Sequence, residues 1–280
     1  MLDIVLSQAA GAFGLGEVGG LQRYPQGAPC SCGKPAMGCD LCAQLKQQLD
    51  APALQGPLQE LWGLTVKERG LFRFLLNASV SRHYAELSDE IYDTVFDQAP
   101  DEPQVLIDSS KNVCRAFALS RYSRHELYFL HLVRDGRGYL RSRTRRARVK
   151  KPESAMRYVR DTARWLSKNL LAELLLGRRS LTVRYEDFIC DPQQALDRIG
   201  EHCGYRFPLP PDDQDMARSQ LYEPGRWVDY RSIRLDPQRL QSQAFTVNEN
   251  VRYQLSGGWL GALWGYGWRQ EYLGGVKGEE

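Results

Sequence analysis

The sequence predicts an α/β fold, a parallel sheet flanked by helices, on three observations. Val105–Ile107, Leu127–Val133 and Leu181–Val183 are short apolar runs bounded by polar or turn residues, which is how strands buried on both faces read. Between the second and third runs, Met156, Val159, Ala163, Leu166, Leu170 and Leu174 recur every three or four positions, one face of a long helix. Strands that alternate with helices of this length pair in parallel, because the crossover has to travel back along the sheet.

Taken in order, Met1–Leu6 carries helix-spaced apolar residues with no capping Ser, Thr, Asp or Asn ahead of it, so the chain is expected to start mid-element. Gly11, Gly14, Gly16, Gly19 and Gly20 predict a flexible turn region around Glu17. A cysteine-rich stretch, Cys30–Cys42, follows. Leu71–Phe96 reads as helical through Phe72, Leu75, Leu76, Tyr84, Leu87, Ile91 and Phe96. After the third strand, Asp191-Pro192-Gln193-Gln194 combines an N-cap, a Pro at the first helical position and a reciprocal capping Gln, with Gly204 as the stop. The expected organisation is a single domain over 1–280, with a Cys-rich insertion at about 28–45 and a loop-rich C-terminal region from about 205 that carries Trp227, Trp259, Trp264 and Trp268.

Composition narrows the classes. Hydrophobic residues at 42% with 25% charged exclude a disordered or collagen-like chain. Lys+Arg 37 against Asp+Glu 34 leaves +3, so anion recognition has to come from local clusters, and nucleic acid is not an expected partner. No apolar run reaches the roughly 20 residues of a membrane-spanning helix. The opening Met1–Gly16 lacks the basic start of a signal peptide, which with an odd count of seven cysteines, Cys114, Cys190 and Cys203 far apart, predicts a cytoplasmic protein with reduced thiols.

Three segments carry chemistry. Val133-Arg134-Asp135-Gly136 ends a strand and opens a basic helix that contains Ser142; ligands of open α/β sheets sit at such strand ends. Arg134 offers a forked charge and Ser142 a hydroxyl, a pair suited to a phosphate monoester. The competing reading is that Arg134, Arg137, Arg141, Arg143, Arg145 and Arg146 form only a solvated basic face. In Asp108-Ser109-Ser110-Lys111, Lys111 follows a strand end, where a cation can meet a bridging or leaving oxygen. Its bland alternative is a helix cap made by Ser109 or Ser110 beside an exposed lysine. Glu17, among glycines, can approach a substrate hydroxyl and take its proton, although a loop Glu is more often simply solvated.

These segments together resemble sulfotransferases that use 3′-phosphoadenosine 5′-phosphosulfate (PAPS). Leu132-Val133-Arg134-Asp135 with Ser142 is similar to that family's 3′-phosphate motif. Gly16-Glu17 resembles its "GE" element, Ile107-Asp108-Ser109-Ser110-Lys111 its "SSK" element, and Arg184-Tyr185-Glu186-Asp187-Phe188 its "RYEDL" strand end. Asn248-Glu249-Asn250-Val251-Arg252 looks like a degenerate "GNPxR". The resemblance implies a P-loop nucleotide-hydrolase-like fold and transfer of a sulfuryl group from PAPS to an acceptor hydroxyl on a carbohydrate, lipid or small metabolite. It implies that Arg134, Ser142 and Arg252 bind the cofactor's 3′-phosphate, that Glu17 is the base and that Lys111 stands near the leaving oxygen. Tyr185, Glu186 and Asp187 are read as structural, orienting basic neighbours such as Arg184.

The family's first strand and "RSGTT" phosphosulfate loop have no counterpart, since Met1–Leu6 matches the helix that follows that loop. Two readings follow: the true protein extends upstream of Met1, or this is a catalytically degenerate nucleotide-binding or scaffold protein. A kinase would need a Gly-rich loop ending Gly-Lys-Ser/Thr, which the sequence lacks. Cys30-x-Cys32 and Cys39-x-x-Cys42 have spacing that can hold a tetrahedral zinc, with free or disulfide-linked thiols as the alternative. The resemblance implies no metal.

Overall fold

A computed structural model describes residues 1–16, 18, 38–50, 75–99, 102–146, 155–210, 235, 237, 240 and 245–268. It divides into two compact units, Met1–Tyr128 with Gly204–Arg234, and Phe129–Cys203 with Leu235–Glu280. Each contains one parallel pair of strands, so the α/β class with parallel pairing is observed.

In the first unit, α1 (Leu2–Leu6) buries Leu2, Ile4, Val5 and Leu6 and leads into β1 (Ala12–Gly16). This strand falls in the region the glycines marked as a turn. Gly14 and Gly16 instead lie inside a strand buried along nearly its whole length: β1 pairs with β2 (Val105–Asp108) in the register Phe13↔Leu106 and Gly14↔Ile107, then shifts so that Gly16 faces Asp108. Gly16 sits at φ +63, a conformation open to glycine, at that irregularity. Phe13 and Leu15 join Leu41 and Leu45 of α2 (Asp40–Asp50) and Ile91 and Val95 of α3 (Ala78–Gln98) in one core. Leu75 and Leu76 precede α3, where Leu76 is exposed, and Phe72 lies outside the described residues. After β2, Asn112 caps α4 (Val113–Tyr122) by accepting from the Arg115 N–H. Neither Ser109 nor Ser110 is the cap.

In the second unit, β3 (Phe129–Val133) pairs in parallel with β4 (Ser180–Arg184), Val133 opposite Arg184. The crossover is α5 (Gly136–Arg146) and α6 (Ala155–Leu176). The predicted stripe on α6 exists but faces outward. Of its six residues only Leu166 is buried, and the packed face is Tyr158, Asp161, Thr162, Trp165, Ala172 and Leu176. Polar Asp161 and Thr162 on that face hid it from an apolar count. Two short helices follow, α7 (Tyr185–Cys190) and α8 (Pro192–Cys203), the latter capped by Asp191 through the Gln194 N–H and ended at Gly204 with φ +63. Finally α9 (Val247–Leu255) starts with a capping box of Thr246 and Glu249 and runs into a 3-10 segment, Gly258–Trp264. Trp264 is buried and packs edge-on against Trp165 with ring centres 5.3 Å apart; Trp259 and Trp268 are exposed and Trp227 lies outside the described residues.

Candidate functional site: the carboxyl ends of the parallel strands

The turn after β3 is held by side chains from three other elements. Tyr266 Oη lies 3.1 Å from the Val133 carbonyl, Trp165 Nε1 donates to the Arg134 carbonyl at 3.0 Å, and the Asp135 N–H donates to Glu186 Oε1 at 3.1 Å. Three successive backbone positions are therefore fixed, and the Arg134 side chain leaves the strand from a rigid base. Its guanidinium lies over the Tyr185 ring, 4.8 Å from the ring centre. Arg184, at the end of the neighbouring strand, stacks in the same way on Tyr266, also at 4.8 Å. Stacking holds a guanidinium flat against the ring. Sequence reasoning treated Arg184 only as a neighbour of the acidic strand end. The register that places it opposite Val133 was the missing signal.

The solvated-face alternative fails for Arg137. Arg137 is 1% exposed and Asp135 0%, and their ion pair is closed by Arg137 Nε at 2.9 and 3.0 Å from the two carboxylate oxygens. The remaining donors reach Asn250 Oδ1, the Trp268 carbonyl and the Gly267 carbonyl. Asp135 Oδ1 also accepts the Arg137 N–H, so this carboxylate caps α5, and Gly136, Arg137 and Gly138 are buried. The N-terminus of α5 is thus occupied by a carboxylate of its own chain. Gly136 is required by Tyr253: a Cβ there would stand 2.9 Å from the buried phenol's Cζ.

Glu186 and Tyr266 form a second buried pair. Glu186 Oε2 is 2.6 Å from Tyr266 Oη, and burial, reinforced by the nearby Asp135 charge, raises the Glu186 carboxyl above its ordinary value despite the hydrogen bonds it receives. The Tyr266 hydroxyl lies within donating reach of both Glu186 Oε2 and the Val133 carbonyl. The structural role read for Glu186 fits this geometry. Asp187 lies 3.7 Å from Arg184 Nε, consistent with an acidic residue orienting a basic one.

Ser142 is part-buried on α5, roughly 9 Å along the axis from Gly136 at 1.5 Å per residue. Arg252 is exposed in the last turn of α9, so the "GNPxR"-like segment is helical here. Within that segment Glu249 binds Arg141 at 2.8 Å, and Asn250 ties Arg137 to the Trp268 carbonyl. Arg134, Ser142 and Arg252 thus belong to one compact unit, whereas Lys111 belongs to the other. Glu17 lies outside the described residues, directly after the last residue of β1.

Lys111 follows β2 on a loop that is fixed at its base. Arg115, 4% exposed, places all five of its N–H groups: on Asp108, Tyr84, Ser88 and Tyr92, with Asp108 Oδ2 receiving both Nε and Nη2. Asp108 also accepts the Tyr92 hydroxyl and the Ser110 N–H. Burial alone would push this carboxyl up, but the Arg115 charge and these hydrogen bonds outweigh it and hold it below the ordinary carboxylate range. Asp3 of α1 is lowered likewise: burial opposes, and the Met1 amino group, Ser109 and Lys111 prevail. Lys111 is itself exposed.

Cys114 and Cys203 are free thiols pushed by burial up to about 11, which makes them poor nucleophiles. Cys42 packs in the first unit's core, while Cys30 and Cys32 lie outside the described residues. Among the described residues, no group of three or more His, Cys, Asp or Glu is arranged to hold a metal ion.

No protein-family model matches this sequence. No curated protein matches it either. Among solved structures, the chain is similar to the sulfotransferase domain of the Synechococcus PCC 7002 olefin synthase, with a TM-score of 0.44 and 19% identity over 89% of this chain and 94% of that one.

Proposed function

We propose that the protein is a PAPS-dependent sulfotransferase that moves a sulfuryl group to an acceptor hydroxyl. One observation carries the reading: the motif residues occur in order at the carboxyl ends of parallel strands, with Lys111 after β2, Arg134 after β3 and Tyr185 after β4. In this reading Arg134, stacked on Tyr185, takes the 3′-phosphate of the cofactor with Ser142 and Arg252, and Arg184 adds a second guanidinium at the neighbouring strand end. Lys111 neutralises charge on the bridging oxygen as the S–O bond breaks. Glu17 takes the acceptor proton. Sulfuryl transfer, like phosphoryl transfer, depends on in-line positioning and cationic stabilisation.

The test is calorimetric. Adenosine 3′,5′-bisphosphate is expected to bind at least about tenfold more tightly than adenosine 5′-monophosphate, because a charge-assisted phosphate contact contributes about 1.5–3 kcal/mol. Equal affinities would remove the 3′-phosphate site and the proposed function with it. Binding without transfer to any acceptor would favour the nucleotide-binding alternative.

A further inference from the structure

The outward stripe on α6 is an apolar face with no covering element among the described residues. Met156 is 74% exposed and Leu174 79%, with Val159, Ala163 and Leu170 exposed between them. From Met156 to Leu174 the face runs about 27 Å at 1.5 Å per residue. It is bordered along one side only by Arg160, Arg164 and Lys168, which are exposed. At about 100° per residue the apolar side chains fill one arc and these cations the adjacent one. Ahead of the helix in sequence stand Arg145, Arg146, Arg148, Lys150 and Lys151, separated from it by Pro152, Glu153 and Ser154. On the elements packed against α6, Leu255 and Trp259 are also exposed.

We infer that the outer face of α6 docks on an anionic lipid surface. Charge complementarity selects this occupant. A protein groove would be met by an apolar face alone, and a soluble polyanion by the cations alone. An amphipathic helix with a long apolar stripe and a basic flank matches a bilayer interface rich in acidic headgroups. Nothing in the helix crosses the bilayer, since no described helix is long and apolar enough to do so. The inference is independent of the proposed sulfuryl chemistry, because it uses a different face and needs no cofactor.

The experiment is co-sedimentation of the full chain with phosphatidylcholine vesicles, with and without 30% phosphatidylglycerol (an illustrative mixture, about one anionic lipid in three). Binding is expected only to the anionic vesicles and is expected to weaken as salt rises. Two double variants separate the two contributions, with folding checked by circular dichroism: Met156→Asp with Leu174→Asp, and Arg164→Glu with Lys168→Glu. Each should lower vesicle affinity at least about tenfold, since each cation near such a surface accounts for roughly a fivefold effect. Three results would overturn the inference: no anionic preference, full vesicle binding by the Asp double variant, or self-association of the wild-type chain through this face without vesicle binding.

Discussion

Replacing Arg137 by Ala tests whether the buried ion pair, and not the chain's many surface arginines, holds the turn that presents Arg134. The substitution removes the guanidinium from the Asp135 carboxylate, 0% exposed, and takes the guanidinium donors from the Gly267 and Trp268 carbonyls, of which Trp268 keeps the Asn250 amide. Removing one partner of a buried pair costs about 3–5 kcal/mol, because the other charge stays desolvated. Arg143→Ala is the control. Its guanidinium is 37% exposed and 3.3 Å from Asp161, a contact worth at most about 1 kcal/mol. Urea unfolding followed by tryptophan fluorescence reports both, since Trp165 and Trp264 lie in the same unit. A double variant, Asp135→Asn with Arg137→Met, should recover much of the loss by removing the orphaned charge. An Arg137→Ala cost below about 1 kcal/mol, equal to the control, would refute the reasoning.

Other consequences follow from the same geometry. Glu186 has a raised folded-state pKa, so its contribution is fully present below its unfolded pKa and is lost as pH rises through the folded value. Glu186→Gln, which keeps a donor for Tyr266 and an acceptor for Asp135, should flatten that pH dependence in thermal melts; an unchanged profile would assign it to another group. Asp108 behaves oppositely: its stabilisation is present above its unfolded pKa and is lost as pH falls through its lowered folded value. Asp108→Asn should therefore cost about 3–5 kcal/mol near neutral pH and much less in strong acid, as read by denaturant midpoints at both. Gly136→Ala forces a methyl against Tyr253, and overpacking of this kind costs about 1–3 kcal/mol. A melt within experimental error of wild type would show that Tyr253 yields without strain.

Much of the architecture was legible because short apolar runs bounded by polar or turn residues mark strands: β2, β3 and β4 coincide with the three that the sequence displays, although they are mostly part-buried rather than buried on both faces, with Leu132 of β3 exposed. β1 was not legible, since its two glycines signal a turn, and the φ +63 of Gly16 at the shift in pairing with β2 is visible only in the structure. The α6 periodicity located a helix but chose the wrong face, because Asp161 and Thr162 are buried where an apolar count expects Leu or Val. At the site, Arg134 was readable from its place after an apolar run. The Asp135–Arg137 pair was not, because among neighbouring arginines nothing local distinguishes the buried one. Its partners, Asn250 and the Gly267 and Trp268 carbonyls, lie more than a hundred residues away.

The most direct test of the proposed site is binding of adenosine 3′,5′-bisphosphate to Arg134→Ala, measured by calorimetry beside adenosine 5′-monophosphate. The account predicts that the variant binds the bisphosphate at least about tenfold more weakly, loses its preference over the monophosphate and keeps the wild-type melting profile. A variant that retains wild-type affinity and the 3′-phosphate preference would contradict the central claim that the β3 strand end holds the cofactor.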